Sequence, residues 1–430
     1  MKILIRGARL IDPGNEIDSK LDILINGTVI EKIDKNIRET DDRVKIIDAG
    51  GHIIAPGLID LHAHLREPGY EYKETIKTGT TAAAKGGFTT VICMANTQPV
   101  NDNKSVTEFI VEKAKSEGLC RVMPCGAVTR GLKGEELSEI GEMYEAGIVA
   151  LSDDGKSVRE AGLLRRAMEY SRIFGLPIIS HCEDESLAKG YVHEGLASLI
   201  NGLETTPSIA EEIIVERDIT IARYVEAPVH LTHISTAGSV EIIGRSKKKY
   251  KKVTCDTCPH YFTLTDEATL GYDTNTKVNP PLRSKKDREA IREGLKSGVI
   301  DIIATDHAPH EFTSKDVEFD IATSGISGFE TALALSLGLV HDGVLSLPEI
   351  IQKMSVNPAR LLGLPSGDLS VGKPADLIIF NPTMEWTVDR ETFLSKGKNT
   401  PFHGWKVKGR NLLTMVGGRI VYRDIKLIKN

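Results

Sequence analysis

Asp60-Leu61-His62-Ala63-His64-Leu65-Arg66-Glu67-Pro68-Gly69 holds two histidines one residue apart and an arginine two residues further on. The pair follows the apolar run Ile53-Ile54-Ala55-Pro56-Gly57-Leu58-Ile59. Alternate side chains of a β-strand point the same way, so His62 and His64 share a face and both imidazoles reach one cation. A strand continued by two residues puts Arg66 on that face as well. A guanidinium fork beside a Lewis acid suits the capture of a carboxylate. Taken alone, His-x-His is a weak motif, common on surfaces and in satisfied cores. Its place at the end of an apolar strand, and the residues downstream, turn it toward metal chemistry on a small acid.

Positioning such residues needs a scaffold. Eight apolar strand candidates span 58–64, 90–94, 121–127, 148–152, 177–181, 229–233, 253–257 and 302–305, with helical patterns such as 107–117, 160–174 and 286–296 between most of them. Eight βα units over about 300 residues predict an α/β chain with a (β/α)8 TIM-type barrel. An open doubly wound sheet is the alternative, but no Gly-x-Gly-x-x-Gly accompanies it. Short strands with turn signals occupy both ends, including Asn26-Gly27 and Gly417-Gly418. Neither end makes a core alone, so the two are expected to pair into one small β-sandwich domain. The expected division is residues 1–54 and 365–430 for the sandwich and 55–364 for the barrel.

Catalytic groups of such barrels sit at the C-terminal strand ends. Strand one delivers His62 and His64, strand four Ser152-Asp153-Asp154-Gly155, strand five His181, strand six His233 and strand eight Asp306. Four histidines and two aspartates match the N/O preference of zinc. Six donors exceed the three that one catalytic zinc takes from protein, so two ions use the set better. Within the strand-four doublet Asp154 is the candidate and Asp153 the alternative. Asp60 either orients a ligand imidazole or is a buried, satisfied polar group. Parity turns Cys182 into the core. His260 is assigned to packing and His307 to orienting a ligand, while His193 and His230 have no supporting context.

The formal net charge of −6 over 430 residues gives no electrostatic footprint for nucleic acid. The run Lys247-Lys248-Lys249-Tyr250-Lys251-Lys252 reads as a solvated helix end. Six cysteines in so long a chain make no disulfide framework, and Cys255-Asp256-Thr257-Cys258 reads as reduced and structural. No leader pattern and no membrane-length apolar stretch stand out, so a cytoplasmic location without a membrane partner is expected.

The chain resembles the amidohydrolase superfamily, and within it the dihydroorotases of the longer bacterial and archaeal type, over essentially its whole length. The resemblance rests on His62-Ala63-His64-Leu65-Arg66-Glu67-Pro68-Gly69, Met94-Ala95-Asn96-Thr97, Ser152-Asp153-Asp154-Gly155, His181-Cys182-Glu183-Asp184, Val278-Asn279-Pro280-Pro281-Leu282-Arg283 and Ala304-Thr305-Asp306-His307-Ala308-Pro309-His310. It implies that His62, His64, Asp154, His181, His233 and Asp306 bind zinc, which selects Asp154 over Asp153. It also implies that His64, Arg66, Asn96, Asn279 and His310 meet the substrate, with Ser324 and Gly325 bordering a pyrimidine ring. The implied activity is reversible cyclisation of N-carbamoyl-L-aspartate to L-dihydroorotate in pyrimidine biosynthesis, with Asp306 moving the proton. Aspartate transcarbamoylase and a second copy of the chain are the protein partners the resemblance raises. Ala95 and the segment Thr323-Ser324-Gly325-Ile326-Ser327-Gly328 depart from the family pattern, and an aspartate stands where many relatives carry a carbamylated lysine. Two rival readings are another cyclic amidase, such as a hydantoinase or allantoinase, and a non-catalytic scaffold. The first leaves Arg66 without a partner; the second does not explain a full set of ligand positions.

Overall fold

The computed structural model describes residues 2–39 and 43–424. Its centre is an eight-stranded parallel sheet: β1 (Leu58–Ala63), β2 (Phe88–Cys93), β3 (Arg121–Gly126), β4 (Ala150–Leu151), β5 (Ile178–Ser180), β6 (Val229–Leu231), β7 (Val253–Thr257) and β8 (Ile302–Ile303). Each strand pairs with the next in sequence order. The seam between β1 and β8 is closed by a parallel bridge from Ala63 to His307, with His64 N donating to His307 O at 2.9 Å. One buried carboxylate reinforces it: Asp60 accepts from Thr305 N at 2.8 Å and from Thr305 Oγ1 at 2.5 Å. Asp60 is therefore the buried, satisfied group of the two alternatives. Burial pushes its pKa up to about 7 against those hydrogen bonds.

All eight expected strands form, several of them shorter than their apolar runs. β4 and β8 keep two residues each, although Ser152 N still bonds Gly126 O and Ala304 N still bonds Thr257 O. The ladder gives way where the chemistry-bearing side chains begin. β1 likewise ends at Ala63, so Arg66 does not follow strand parity. It sits in a turn beyond the strand at φ 64, a left-handed conformation that costs an L-residue about 1 kcal/mol or more.

Helices cover the outside of the barrel. Ile76–Gly86 (α1) starts at the Thr75–Thr78 capping box, and Lys285–Lys296 (α2) at the Ser284–Asp287 box. Phe329–His341 (α3) is apolar nearly all round because both its faces are buried, its outer one against the strand Lys406–Val416. Inside the barrel, Leu61, Ile92, Cys125, Ala150, Ile179 and Ile302 pack in a plug beneath the C-terminal face. Truncating one of its large members to Ala costs about 2–5 kcal/mol.

The sandwich takes its strands from both chain ends. One sheet contains Val29–Asp34, Asp22–Asn26, Lys2–Arg6 and Lys45–Asp48 in that order. The other runs Arg419–Arg423, Lys406–Val416, Leu377–Thr387, Ile53–Pro56, Arg9–Asp12 and Ile17–Lys20. Ile53–Pro56 pairs antiparallel with Leu377–Thr387, Ile54 opposite Ile379, and Ile3, Ile5, Leu10, Ile25, Leu377 and Met415 fill the shared core. Gly57 then leads straight into β1, which ties this core to the strand carrying the histidine pair.

Candidate active site

His62, the penultimate residue of β1, is fully buried at the C-terminal end of the strand. Its Nδ1 lies 2.7 Å from Thr232 Oγ1, whose own proton goes to Asp256 Oδ2 at 2.9 Å. The hydroxyl must therefore accept from His62 Nδ1–H, and Nε2 is the ring nitrogen aimed inward. There it stands 3.2 Å from Asp154 Oδ1 and 3.6 Å from Asp306 Oδ1. His64 is set the same way: Asn96 Oδ1 is 3.0 Å from Nδ1, and Nε2 faces Asp306 Oδ1 at 3.1 Å. His181 and His233 complete the ring, Nδ1 to Nε2 at 2.9 Å, and both lie 3.5–3.6 Å from Asp154 Oδ1.

The strand-four doublet divides cleanly. Asp153 turns away and accepts from Val128 N at 2.8 Å, from Thr129 N at 2.9 Å and from Thr129 Oγ1. Asp154 faces the histidines.

Burial alone disfavours the Asp154 and Asp306 carboxylates, yet the imidazoles around them hold both well below the usual carboxylate range. Burial likewise opposes charge on His62, but Asp154 and Asp306 outweigh it and raise its pKa to about 9. Two carboxylates facing imidazole nitrogens make a pocket that favours positive charge, carried by protons on the rings or by a bound cation. Among the described residues, His62 Nε2 and Asp154 Oδ1 are buried polar atoms without a hydrogen bond. Buried orphans cost about 1–3 kcal/mol each, and a shared cation removes both penalties. Donor atoms of His62, Asp154 and His233, and those of His62, His64 and Asp306, lie within 4.8 Å of one another. The donor set fits a divalent ion of borderline softness.

Above this ring lies a cavity of about 200 Å³. Its wall brings together His64, Asp154, His181, His233 and Asp306 with Arg66, Asn96, Asn279, His310, Ser324 and Gly325. His62 is the one expected site residue that forms the floor rather than the wall. Arg66 reaches Pro309 O through Nε and approaches His310 Nε2 through Nη2, both at 3.4 Å. His310 Nε2 also lies 2.9 Å from Ser324 O, and burial beside Arg66 keeps this imidazole neutral. Asn279 donates from Nδ2 to Glu183 Oε2 at 3.0 Å, which leaves its carbonyl oxygen for a ligand. Besides Arg66, His233 and Asp306 have positive φ, 41° and 46°. Three of the eight non-glycine residues with positive φ among the described residues thus belong to this site.

Other expected residues settle elsewhere. Cys182 points to Ser180 O and joins the core, as parity indicates. Cys255 is buried in β7, which pushes its thiol up to about 12. His260 packs against Tyr261. The His307 side chain packs in the barrel seam and contacts none of the ring imidazoles, although its carbonyl accepts from His64 N. His307 Nδ1 accepts from Gly328 N at 3.1 Å, its ring stacks on Phe329, and Nε2 faces Glu74 at 3.5 Å. The loop 311–323 lies against the segment before Asn279: Lys315 Nζ donates to Thr274 O and Lys277 Nζ to Asp320 O.

Sequence reasoning missed the support beneath the ring. Asp256 Oδ2 also bonds His230 Nε2 at 2.8 Å, and Oδ1 accepts from His233 N at 2.6 Å. One carboxylate thus braces His62 through Thr232, and His233 through its backbone. The signal was an unusual parity: His230 and Thr232 at alternate positions in and after β6, with Thr254 and Asp256 alongside in β7. Glu183, 3.3 Å from His181 Nε2, was missed as a group that orients this imidazole.

The amidohydrolase family model matches residues 53–421. At 51% identity the chain is similar to the dihydroorotase of Syntrophus aciditrophicus, over 99% of this chain and 100% of that protein. The dihydroorotase of Geobacter metallireducens is also 51% identical, over 98% of this chain and 100% of that one. Among solved structures, the L-hydantoinase (dihydropyrimidinase) from Arthrobacter aurescens superposes with a TM-score of 0.88 at 26% identity, covering 98% of this chain and 96% of that one. The dihydropyrimidinase from Brevibacillus agri gives a TM-score of 0.87 at 25% identity, covering 99% and 95%.

Proposed function

The chain belongs to the amidohydrolase family and, within it, to the dihydroorotases, and on that premise we propose how its site interconverts N-carbamoyl-L-aspartate and L-dihydroorotate. The observation that carries the reading is Arg66 placed beside the histidine–aspartate ring in one cavity. L-Dihydroorotate presents a cyclic amide and an exocyclic carboxylate, and the cavity offers one wall to each.

His62, His64, Asp154, His181, His233 and Asp306 would hold the metal, which we assign as zinc, two ions per chain, since six N/O donors exceed the needs of one. Bound there, zinc would supply acidification of water toward a pKa of ~7 and polarisation of a carbonyl. Asp306 accepts the proton of the attacking water and delivers it to the ring nitrogen as the amide bond breaks. In the synthetic direction the transfer reverses: the dianionic open chain takes up one proton, loses water and closes to the monoanionic ring. Arg66, Asn96 through its amide N–H, and His310 grip the exocyclic carboxylate. Asn279 and the Ser324–Gly325 backbone border the ring. We place the protein in the cytoplasm with this small-molecule substrate.

The structural neighbours raise the rival that the substrate is a hydantoin or dihydropyrimidine. Those rings lack the exocyclic carboxylate, so Arg66 separates the readings. Purified protein is assayed on L-dihydroorotate, dihydrouracil and allantoin, before and after chelation, with metal content measured alongside. Turnover of dihydroorotate alone, lost on chelation and restored by zinc, is expected. Preference for dihydrouracil or allantoin, or activity indifferent to chelation, overturns the proposal.

A further inference from the structure

Between the long strands Leu377–Thr387 and Lys406–Val416 the chain leaves the sandwich and reaches the barrel rim. There it buries Asn399, and all the hydrogen-bonding capacity of that amide is directed at two loops that wall the cavity. Asn399 Nδ2 donates to Ala308 O and to Gly325 O, both at 3.0 Å. Its Oδ1 accepts from His310 N at 2.9 Å and lies 2.9 Å from Ser327 Oγ. The Asn399 backbone carbonyl accepts from Ser327 N at 2.8 Å. A single side chain therefore links residues 308–310 to residues 325–327.

The approach is close on both sides. A Cβ at Gly397 would fall 2.6 Å from Pro309 Cβ and 2.8 Å from Asn399 Oδ1, so no larger residue lets this segment lie down. A Cβ at Gly325, whose φ is 141°, would fall 2.7 Å from Ala308 Cβ and 3.1 Å from His310 Nε2. The His310 ring is thus set by its contact with Gly325 and Ser324, and those loops are set by Asn399. Asn399 is not among the residues lining the cavity over the ring.

We propose that Asn399 is a positioning residue for the carboxylate end of the pocket, holding His310 and the Ser324–Gly325 backbone opposite Arg66 and acting on substrate only through them. This rests on the reading of the pocket as a dihydroorotate site. An amide supplied from the sandwich side of the chain would make substrate affinity depend on docking of the C-terminal segment.

A double-mutant cycle with His310 tests it. Asn399→Ala is expected to raise KM for L-dihydroorotate about tenfold, with kcat changed by less than about threefold and metal content as in the wild type. In the His310→Ala background the same substitution should raise KM clearly less than in the wild-type background, about threefold, because one of the two groups it positions is gone. Asn399→Ser, which keeps one hydroxyl for these partners, should fall between Asn399→Ala and wild type; it carries the same cycle if the alanine variant does not fold. An unchanged KM in Asn399→Ala, or the same fold rise in both backgrounds, overturns the proposal. If wild-type protein is inert on dihydroorotate, or Arg66→Ala leaves KM untouched, the reading of the site fails and the proposal falls with it. If those controls hold while Asn399→Ala is silent, the proposal alone fails.

Discussion

The two ends of the cavity are built by different means. At the proposed metal end, six candidate donors lie at or just beyond the ends of five strands, and three of them are braced, His62 by Thr232, His64 by Asn96 and His233 by Asp256. At the carboxylate end, Arg66 stands in a turn beyond β1, while His310, Ser324 and Gly325 stand on loops beyond β8. Those loops are held by Asn399, 89 residues from the His310 it supports. A strand fixes the direction of its side chains through its own pleat. A loop lacks that rule and needs a long-range clamp to hold a geometry. The six donors stay on a strand or within three residues of a strand end, where the barrel fixes their direction; His310, Ser324 and Gly325, assigned to recognition, stand further out, on loops.

This contrast predicts that turnover and affinity separate. Asp306→Ala should reduce kcat for L-dihydroorotate by about 10³-fold or more, with residual turnover retaining a KM within about tenfold of wild type. A full loss of saturability would instead couple the two ends. Arg66→Ala should raise KM about a hundredfold and leave bound metal unchanged, as read by steady-state kinetics and elemental analysis. Metal lost from this variant would erase the distinction.

Asp256→Asn tests the bracing of the metal end. Its zinc affinity, measured by chelator competition, should fall about 10–100-fold while KM moves little. The smallest effect concerns the loop latch at the other end. Lys315 is buried, and desolvation with help from Lys277 brings its pKa to about 7, below 10.5 for the free side chain. Between those values the unfolded chain binds more protons, so this group makes the fold more stable as pH rises. Melting temperature should therefore rise between pH 7 and pH 9 by roughly 1–2 °C more in wild type than in Lys315→Met. Equal rises would show that the latch does not titrate.

Much of the metal end was legible because its signals are local. Period-two alternation and the apolar runs located the strands, and the polar residues closing them were His62, His64, Asp154, His181, His233 and Asp306. The strand-four doublet was not decided by local chemistry. Asp153 and Asp154 are alike as isolated side chains, and only the neighbouring Val128–Thr129 backbone separates them by capturing the first. Arg66 was legible as a residue but not as a geometry: β1 ends earlier than its alternation suggests, and a left-handed turn carries the side chain to the place that strand parity was expected to give.

His230 and His307 show the limit from both sides. Each is a histidine near a strand end, and nothing in its own stretch of sequence says whether it serves the metal or the fold. Asp256 gives His230 its place under the ring, and Glu74 with Gly328 draws His307 into the barrel seam. The sequence by itself determined the scaffold and the donor types, because both follow from periodicity and from side-chain chemistry within a few residues. Tertiary structure alone decided what captures Asp153 and leaves Asp154 facing the ring, how Arg66 reaches the cavity and why an asparagine of the C-terminal segment stands behind His310. Those are contacts between residues tens to hundreds of positions apart, and no local pattern encodes a partner that only closure of the barrel brings near.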